Sequence, residues 1–257
     1  MEFEVLGPIT LVSGARAIPV PGRLRRVLLG VLLADANHFV RADVLADALW
    51  DGDPDRRAAR KLHWHVHKLR AVLPDRERLD SGHGGYRIVV RPGELDAERF
   101  EALAGRVAGE PRPAERTALI REALALWHGT PYGGLDVPVL ADEALRLTER
   151  RLVLLEHLHQ AELDLGRHAA VVVELTGLVR RYPLRERLHY LLMVALSLDG
   201  RRAEALDAYH GARRVLVRQL GLEPGRALRD LERRILADGP AAWPATGPSG
   251  GDQMTRR

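Results

Sequence analysis

The sequence predicts a mainly α protein with a small β part in its first 93 residues, and three observations carry that expectation. Apolar residues recur at helical spacing from Arg23 to Ala34 and then almost without pause from residue 94 to 238. β-like stretches punctuated by Gly and Pro fall only before residue 21 and after Pro74, around residues 79–90. Two segments, LGRHAAVVVEL and DGRRAEALDAY, place Gly166 and Ala169 where Gly200 and Ala203 recur 34 residues later, the period of stacked tetratricopeptide helix pairs.

Residues 2–20 read FEVLG, ITLV and AIPV, interrupted by Gly7-Pro8, Ser13-Gly14 and Pro19/Pro21, which predicts about three brief strands. Leu24, Val27, Leu28, Val31 and Leu32 then take one face of a first helix. NHFVRADVLADALW predicts a short extended piece entering a second helix, with Asp43 as its cap and Val44, Leu45 and Leu49 on the inner face. Gly52 and Pro54 make DGDPD a turn, because both disfavour helix and aspartate stabilises turns locally.

The next segment, RAARKLHWHVHKLR, carries histidines at 63, 65 and 67. On a strand the three rings would share a face and could close around one metal ion; on a helix His65 turns away from the other two. Leu62, Val66, Leu69 and Leu73 recur at i, i+4, i+7 and i+11, which predicts a helix from Arg57 to Leu73 with one packed stripe. The opposite side then centres on Arg57, Arg60, Trp64, His67 and Lys68, with Lys61 and His63 at its margins. An outward tryptophan among cations is held against a partner surface, or the helix is rotated so that the core takes it. RLDSGHGGYRIVV follows as a hairpin with a Gly-rich tip.

Strands, three helices and a hairpin, in that order, make a winged helix-turn-helix, in which the third helix enters the major groove and the hairpin flanks it. Charge agrees. The net charge of +4 lies wholly in residues 1–93, which hold 15 Lys/Arg against 11 Asp/Glu, while the rest balances at 24 of each. Arg56 to Arg70 carries six basic groups and no acid, and the chain's only lysines, Lys61 and Lys68, are among them. Such a run attracts a polyanion by counterion release, although a solvated helix face looks the same on charge alone.

The absence of cysteine excludes disulfides, iron-sulfur clusters, thiol nucleophiles and Cys-containing zinc sites. MEFEVLGPIT lacks a charged leader before an apolar stretch, and the longest apolar run, VLLGVLLA, is far short of the ~18 residues a membrane span requires. A cytoplasmic protein without membrane contact is expected. GPSGG at 247–251 fits the nucleophile-elbow pattern, but no strand precedes it and no helix follows. No phosphate-binding glycine motif or HExxH occurs, so no catalytic residue, cofactor or metal is expected.

LGP near the start, ADVLADALWDGDP, HVHKLRAVL and GGYRI resemble the winged-helix domain of OmpR-type regulators, and in particular the Streptomyces antibiotic regulatory protein family. ELDAERFE, ALALWHGTPY, YPLRERLHYLLMVAL, GRRAEALDAY and LGLEPGRALRDLERRIL resemble that family's helical bacterial transcriptional activation domain. The resemblance implies residues 1–93 as the DNA-binding domain and 94–238 as the activation domain, leaving a disordered Pro/Gly-rich tail at 239–257. No NTP-binding loop follows, as in the family's short form.

What the resemblance implies is a transcriptional activator that binds direct repeats near promoters as side-by-side protomers. It would recruit RNA polymerase through the sigma and alpha subunits and the beta flap, to control a secondary-metabolite gene cluster. His65, Arg60 and Arg70 match phosphate-contacting positions, and Lys68 falls where an arginine often reads a base. Trp64 replaces a small aliphatic residue, and Gly82 stands where relatives often place a minor-groove arginine, leaving His83 or Arg87 to substitute. Asp51, Asp53, Asp55 and Arg56 occupy the loop that touches polymerase in OmpR-type activators, or serve only as a capping turn. A rival expectation is a scaffold or sensor whose helices bind a peptide or ligand and whose winged helix makes protein contacts only.

Overall fold

A computed structural model describes residues 1–50 and 58–237 of the chain. The expectations placed on Asp51, Asp53, Asp55, Arg56 and Arg57, and on the tail, lie outside the described residues. Two compact units divide between Leu155 and Glu156.

The first unit opens with an antiparallel meander, β1 (Glu2–Glu4), β2 (Thr10–Ser13) and β3 (Arg16–Pro19), in which Phe3 pairs with Leu11 and Leu11 with Ile18. Phe3 and Leu11 are fully buried. Gly22, at φ 85°, starts α1 (Arg23–Ala34), whose Val27 to Leu33 are all buried. At Gly30 a side chain would come within about 3 Å of Ile9 and Leu140, so the glycine lets neighbouring elements approach α1 closely.

β4 (Val40–Arg41) leads into α2 (Ala42–Trp50), and α3 (Ala58–Arg70) follows the undescribed turn. Leu45 and Leu49 of α2 are buried, but Val44 is 43% exposed, which corrects its expected place on the inner face. One step of about 100° separates it from Leu45 and carries it past the packed stripe. Asp43 lies inside the first helical turn, paired with Arg41 and accepting from the Val44 amide.

α3 ends at Arg70, and Leu73 is buried just beyond it. A 3-10 turn at Arg76–Arg78 precedes β5 (Leu79–Gly82) and β6 (Gly85–Ile88), and β6 lies between β5 and β4 in a second antiparallel sheet. His83 and Gly84, both at positive φ (51° and 71°), form the two-residue loop that suits a twisted hairpin. Gly85 is obligatory, since a Cβ there would stand 2.0 Å from the Val40 carbonyl oxygen.

The unit continues past residue 93 through α4 (Asp96–Gly109), α5 (Pro113–Ala125) and the start of α6 (Pro138–Asp164). Backbone amides of His128, Tyr132 and Gly133 donate to Leu6, Val5 and Gly7, binding the first strand's exit to the loop after α5. Buried Arg78 makes a two-pronged ion pair with Glu94 at 2.6 and 2.9 Å and also donates to the Val89 carbonyl.

The second unit holds the end of α6, then α7 (His168–Arg181), α8 (Glu186–Leu198), α9 (Arg202–Leu220) and α10 (Arg226–Ala237). α8 is buried from Leu188 to Leu196 and packs against α7, α9 and α10. The 34-residue period is visible in the corners. Gly166 and Gly200 sit at φ 79° and 77°, and the next amides, of Arg167 and Arg201, donate to Glu162 and Leu196, five residues back. Each glycine ends one helix in the left-handed conformation that permits this closure.

Candidate nucleic-acid interface

α3 owes its orientation to the aliphatic seam of Leu62, Val66 and Leu69, each at most 1% exposed, which packs against α1 and α2. Its described outer surface consists of Arg60, Lys61, His63, Trp64, His67 and Lys68, all exposed. No acidic residue interrupts the helix, and His67, Lys68 and Arg70 occupy its last turn, where cations offset the negative helix end. The helical reading of HWHVH therefore holds, and among the described residues no group of three metal-ligating side chains forms.

Trp64 is 53% exposed, so rotation into the core does not occur. Its indole is braced rather than loose. The His65 ring meets it edge-on with centroids 4.8 Å apart, and the Lys68 ammonium lies 5.7 Å from the ring centre. His65 is half-buried between Trp64 and Trp50, and its Nδ1 has no hydrogen-bond partner. Burial, aided by the nearby Arg25 charge, holds its pKa below the usual histidine value. His65 is thus a neutral imidazole that can donate one hydrogen bond and adds no charge.

Arg70, half-buried, donates from Nε to the Leu79 carbonyl at 2.9 Å, fastening α3 to β5. His63 Nδ1 lies 3.3 Å from the Tyr86 hydroxyl and makes a second tie, to β6. The wing is tied down as well. Arg87 pairs with Asp80 at 2.7 Å and lies 4.5 Å over the Phe39 ring, and His83 at the tip meets the same ring edge-on.

Phe39 also accounts for Gly82. A Cβ there would come within 3.1 Å of the ring, so the space an arginine side chain would leave through is already filled. Phe39, Trp50, Tyr86 and Arg25 were missed from the sequence. Only Arg25 left a signal, in the RLRR opening of α1; the others act through contacts distant along the chain.

A basic helix set on two others, with a three-stranded sheet and hairpin at its flank, defines a winged helix-turn-helix protein, here continued by paired helices. Comparison with known proteins refines that class. Residues 95–236 match the family model described as the bacterial transcriptional activator domain. The regulatory protein DnrI of Streptomyces peucetius is 32% identical over 257 residues, covering 93% of each chain. The regulatory protein AfsR of Streptomyces griseus is 38% identical over 255 residues, covering 97% of this chain and 26% of AfsR, so the chain spans about a quarter of that relative. The structure of Mycobacterium tuberculosis EmbR in complex with a low affinity phosphopeptide superposes with a TM-score of 0.80 at 30% identity, over 91% of this chain and 64% of EmbR. The chain belongs to the Streptomyces antibiotic regulatory protein family of transcriptional activators. No described helix is long and apolar enough to cross a membrane.

Proposed function

We propose that the protein is a sequence-specific DNA-binding transcriptional activator that reads the major groove with α3. One observation carries the reading: α3 buries Leu62, Val66 and Leu69 and turns an acid-free face of Arg60, Lys61, Trp64, His67 and Lys68 to solvent. Lys68 is assigned to a base edge, donating to guanine as a mobile point charge rather than a planar fork. Arg57, Arg60, Lys61 and His67 contact phosphates, and His65 donates to one from its neutral ring. Arg70 keeps its terminal nitrogens for a phosphate while Nε holds Leu79. Trp64 packs on sugar and thymine methyl groups. His83 and Arg87 face the flanking minor groove, and Arg87 must leave Asp80 to reach it.

In this reading residues 1–93 bind DNA, and residues 94–238 brace that module and hold a second copy beside it on direct repeats. Asp51, Asp53, Asp55 and Arg56 meet RNA polymerase, which is recruited through its sigma and alpha subunits and beta flap. The setting is the cytoplasm, at the nucleoid, and the target is a secondary-metabolite gene cluster. The chemistry is recognition alone. Footprinting on promoters of the neighbouring gene cluster tests the reading: two protected half-sites on one face of the duplex support it, and no protection at any promoter refutes it.

A further inference from the structure

Within the first unit, the C-terminal end of α1 faces α4, the loop carrying Tyr132, and α6 across an open cleft of about 390 Å³. None of the residues assigned to DNA lines it. Leu33, Ala36 and Leu95 supply apolar wall, and the charged lining consists of Asp35, Glu98, Glu101 and Glu143 against Arg146, with His38 beside Asp35. Arg146 is already shared between Glu143 and Glu101, at 2.8 and 2.7 Å.

Two groups in the cleft remain without a partner. Tyr132, at φ 54° and only 2% exposed, lines the cleft, and its hydroxyl makes no hydrogen bond with any described residue. A buried hydroxyl left in that state costs roughly 1–3 kcal/mol, so such groups are normally satisfied by a neighbour, a water or a ligand. Glu98 has no ion pair among the described residues, and partial burial holds its carboxyl above the usual range.

We propose that this cleft binds a small organic cation, an aliphatic amine with a short apolar body, held by the Tyr132 hydroxyl and the Glu98 carboxylate. An ammonium donates to both oxygens at once and answers the surplus of negative charge in the lining. α1 ends there with no basic residue in its last turn, so the negative end of the helix adds to the attraction. The apolar wall favours a molecule with methylene groups over a bare metal ion, and no three metal-ligating residues converge among the described residues. Seated there, the amine links α1, on which α3 packs, to α4 and α6.

The test is calorimetric titration of the whole chain, without DNA, using spermidine and 1,5-diaminopentane as probes and 1,5-pentanediol and magnesium chloride as controls. Saturable one-to-one binding of at least one amine is expected, with neither control binding. Glu98→Gln weakens it about ten-fold and Tyr132→Phe about three-fold, while circular dichroism shows both variants folded. Should Glu98→Gln not fold, Asp35→Asn, at an exposed helix end, supplies a second charge test with a several-fold loss expected. Failure of both amines to bind, equal binding of pentanediol or magnesium, or binding unchanged in the variants overturns the proposal. Because DNA is absent, each of these results is independent of how α3 is used.

Discussion

Asp96, the first residue of α4, accepts hydrogen bonds at 2.9 Å from the backbone amide of Val5, 91 residues earlier, and its Oδ2 also takes the Leu6 amide. The carboxylate thereby satisfies two amides where the chain leaves β1, and joins the start of the helical region to the first strand. Burial pushes its pKa up to about 6 despite those donors.

A raised folded-state pKa means that the protonated carboxyl favours the fold. The contribution is complete below the unfolded value of 3.8 and is lost as pH rises to about 6. Urea unfolding of the wild type compared with Asp96→Asn isolates it, since the amide cannot ionise. The wild type loses stability relative to the variant across pH 4 to 6, and parallel curves refute the assignment. Asp96→Ala, which strands two amides, costs about 2–4 kcal/mol at any pH.

Arg78 and Glu94 behave with the opposite sign. The guanidinium holds the Glu94 carboxyl down at about 2, so their contribution is complete above the ordinary glutamate value of 4.5 and fades as pH falls toward 2. Arg78→Ala leaves Glu94 largely buried without its partner and lowers unfolding free energy by about 3–5 kcal/mol. Arg78→Lys restores only a minor part, because one ammonium cannot serve both carboxylate oxygens and Val89. Chemical denaturation measures both.

At the wing, Gly82→Arg is expected to destabilise rather than improve the protein, by about 1–3 kcal/mol, because its Cβ and stem must displace Phe39. Pairing it with Phe39→Val recovers most of the loss. Thermal melts of the single and double variants decide this, and a neutral Gly82→Arg contradicts it.

Trp64→Ala separates stability from recognition. With half its surface exposed, Trp64 contributes little to the core, so unfolding free energy changes by about 0.5 kcal/mol or less. Promoter affinity falls about ten-fold or more in a mobility-shift titration, whereas a variant that unfolds readily and binds normally shows Trp64 to be a packing residue.

Periodic features were legible in the sequence. α1 runs from Arg23 to Ala34 as its apolar spacing predicts, and the 34-residue recurrence of Gly166 and Gly200 marks two like corners. What stayed hidden depends on contacts between distant residues. Nothing local shows that Arg78 is buried against Glu94, that the Leu79 carbonyl takes one arm of Arg70, or that Phe39 fills the space beside Gly82. Val44 was misplaced because a nine-residue helix offers too few turns to fix the centre of its packed stripe.

The salt dependence of promoter affinity, measured for the wild type, Arg60→Ala and Lys68→Ala, tests the central claim that the exposed face of α3 meets DNA. Affinity of the wild type falls steeply with salt. Arg60→Ala reduces the slope of log affinity against log salt by about one and weakens cognate and scrambled sites alike, whereas Lys68→Ala narrows the preference for the cognate site. A slope unchanged by Arg60→Ala, with the preference intact in Lys68→Ala, would place the DNA contact elsewhere on the protein.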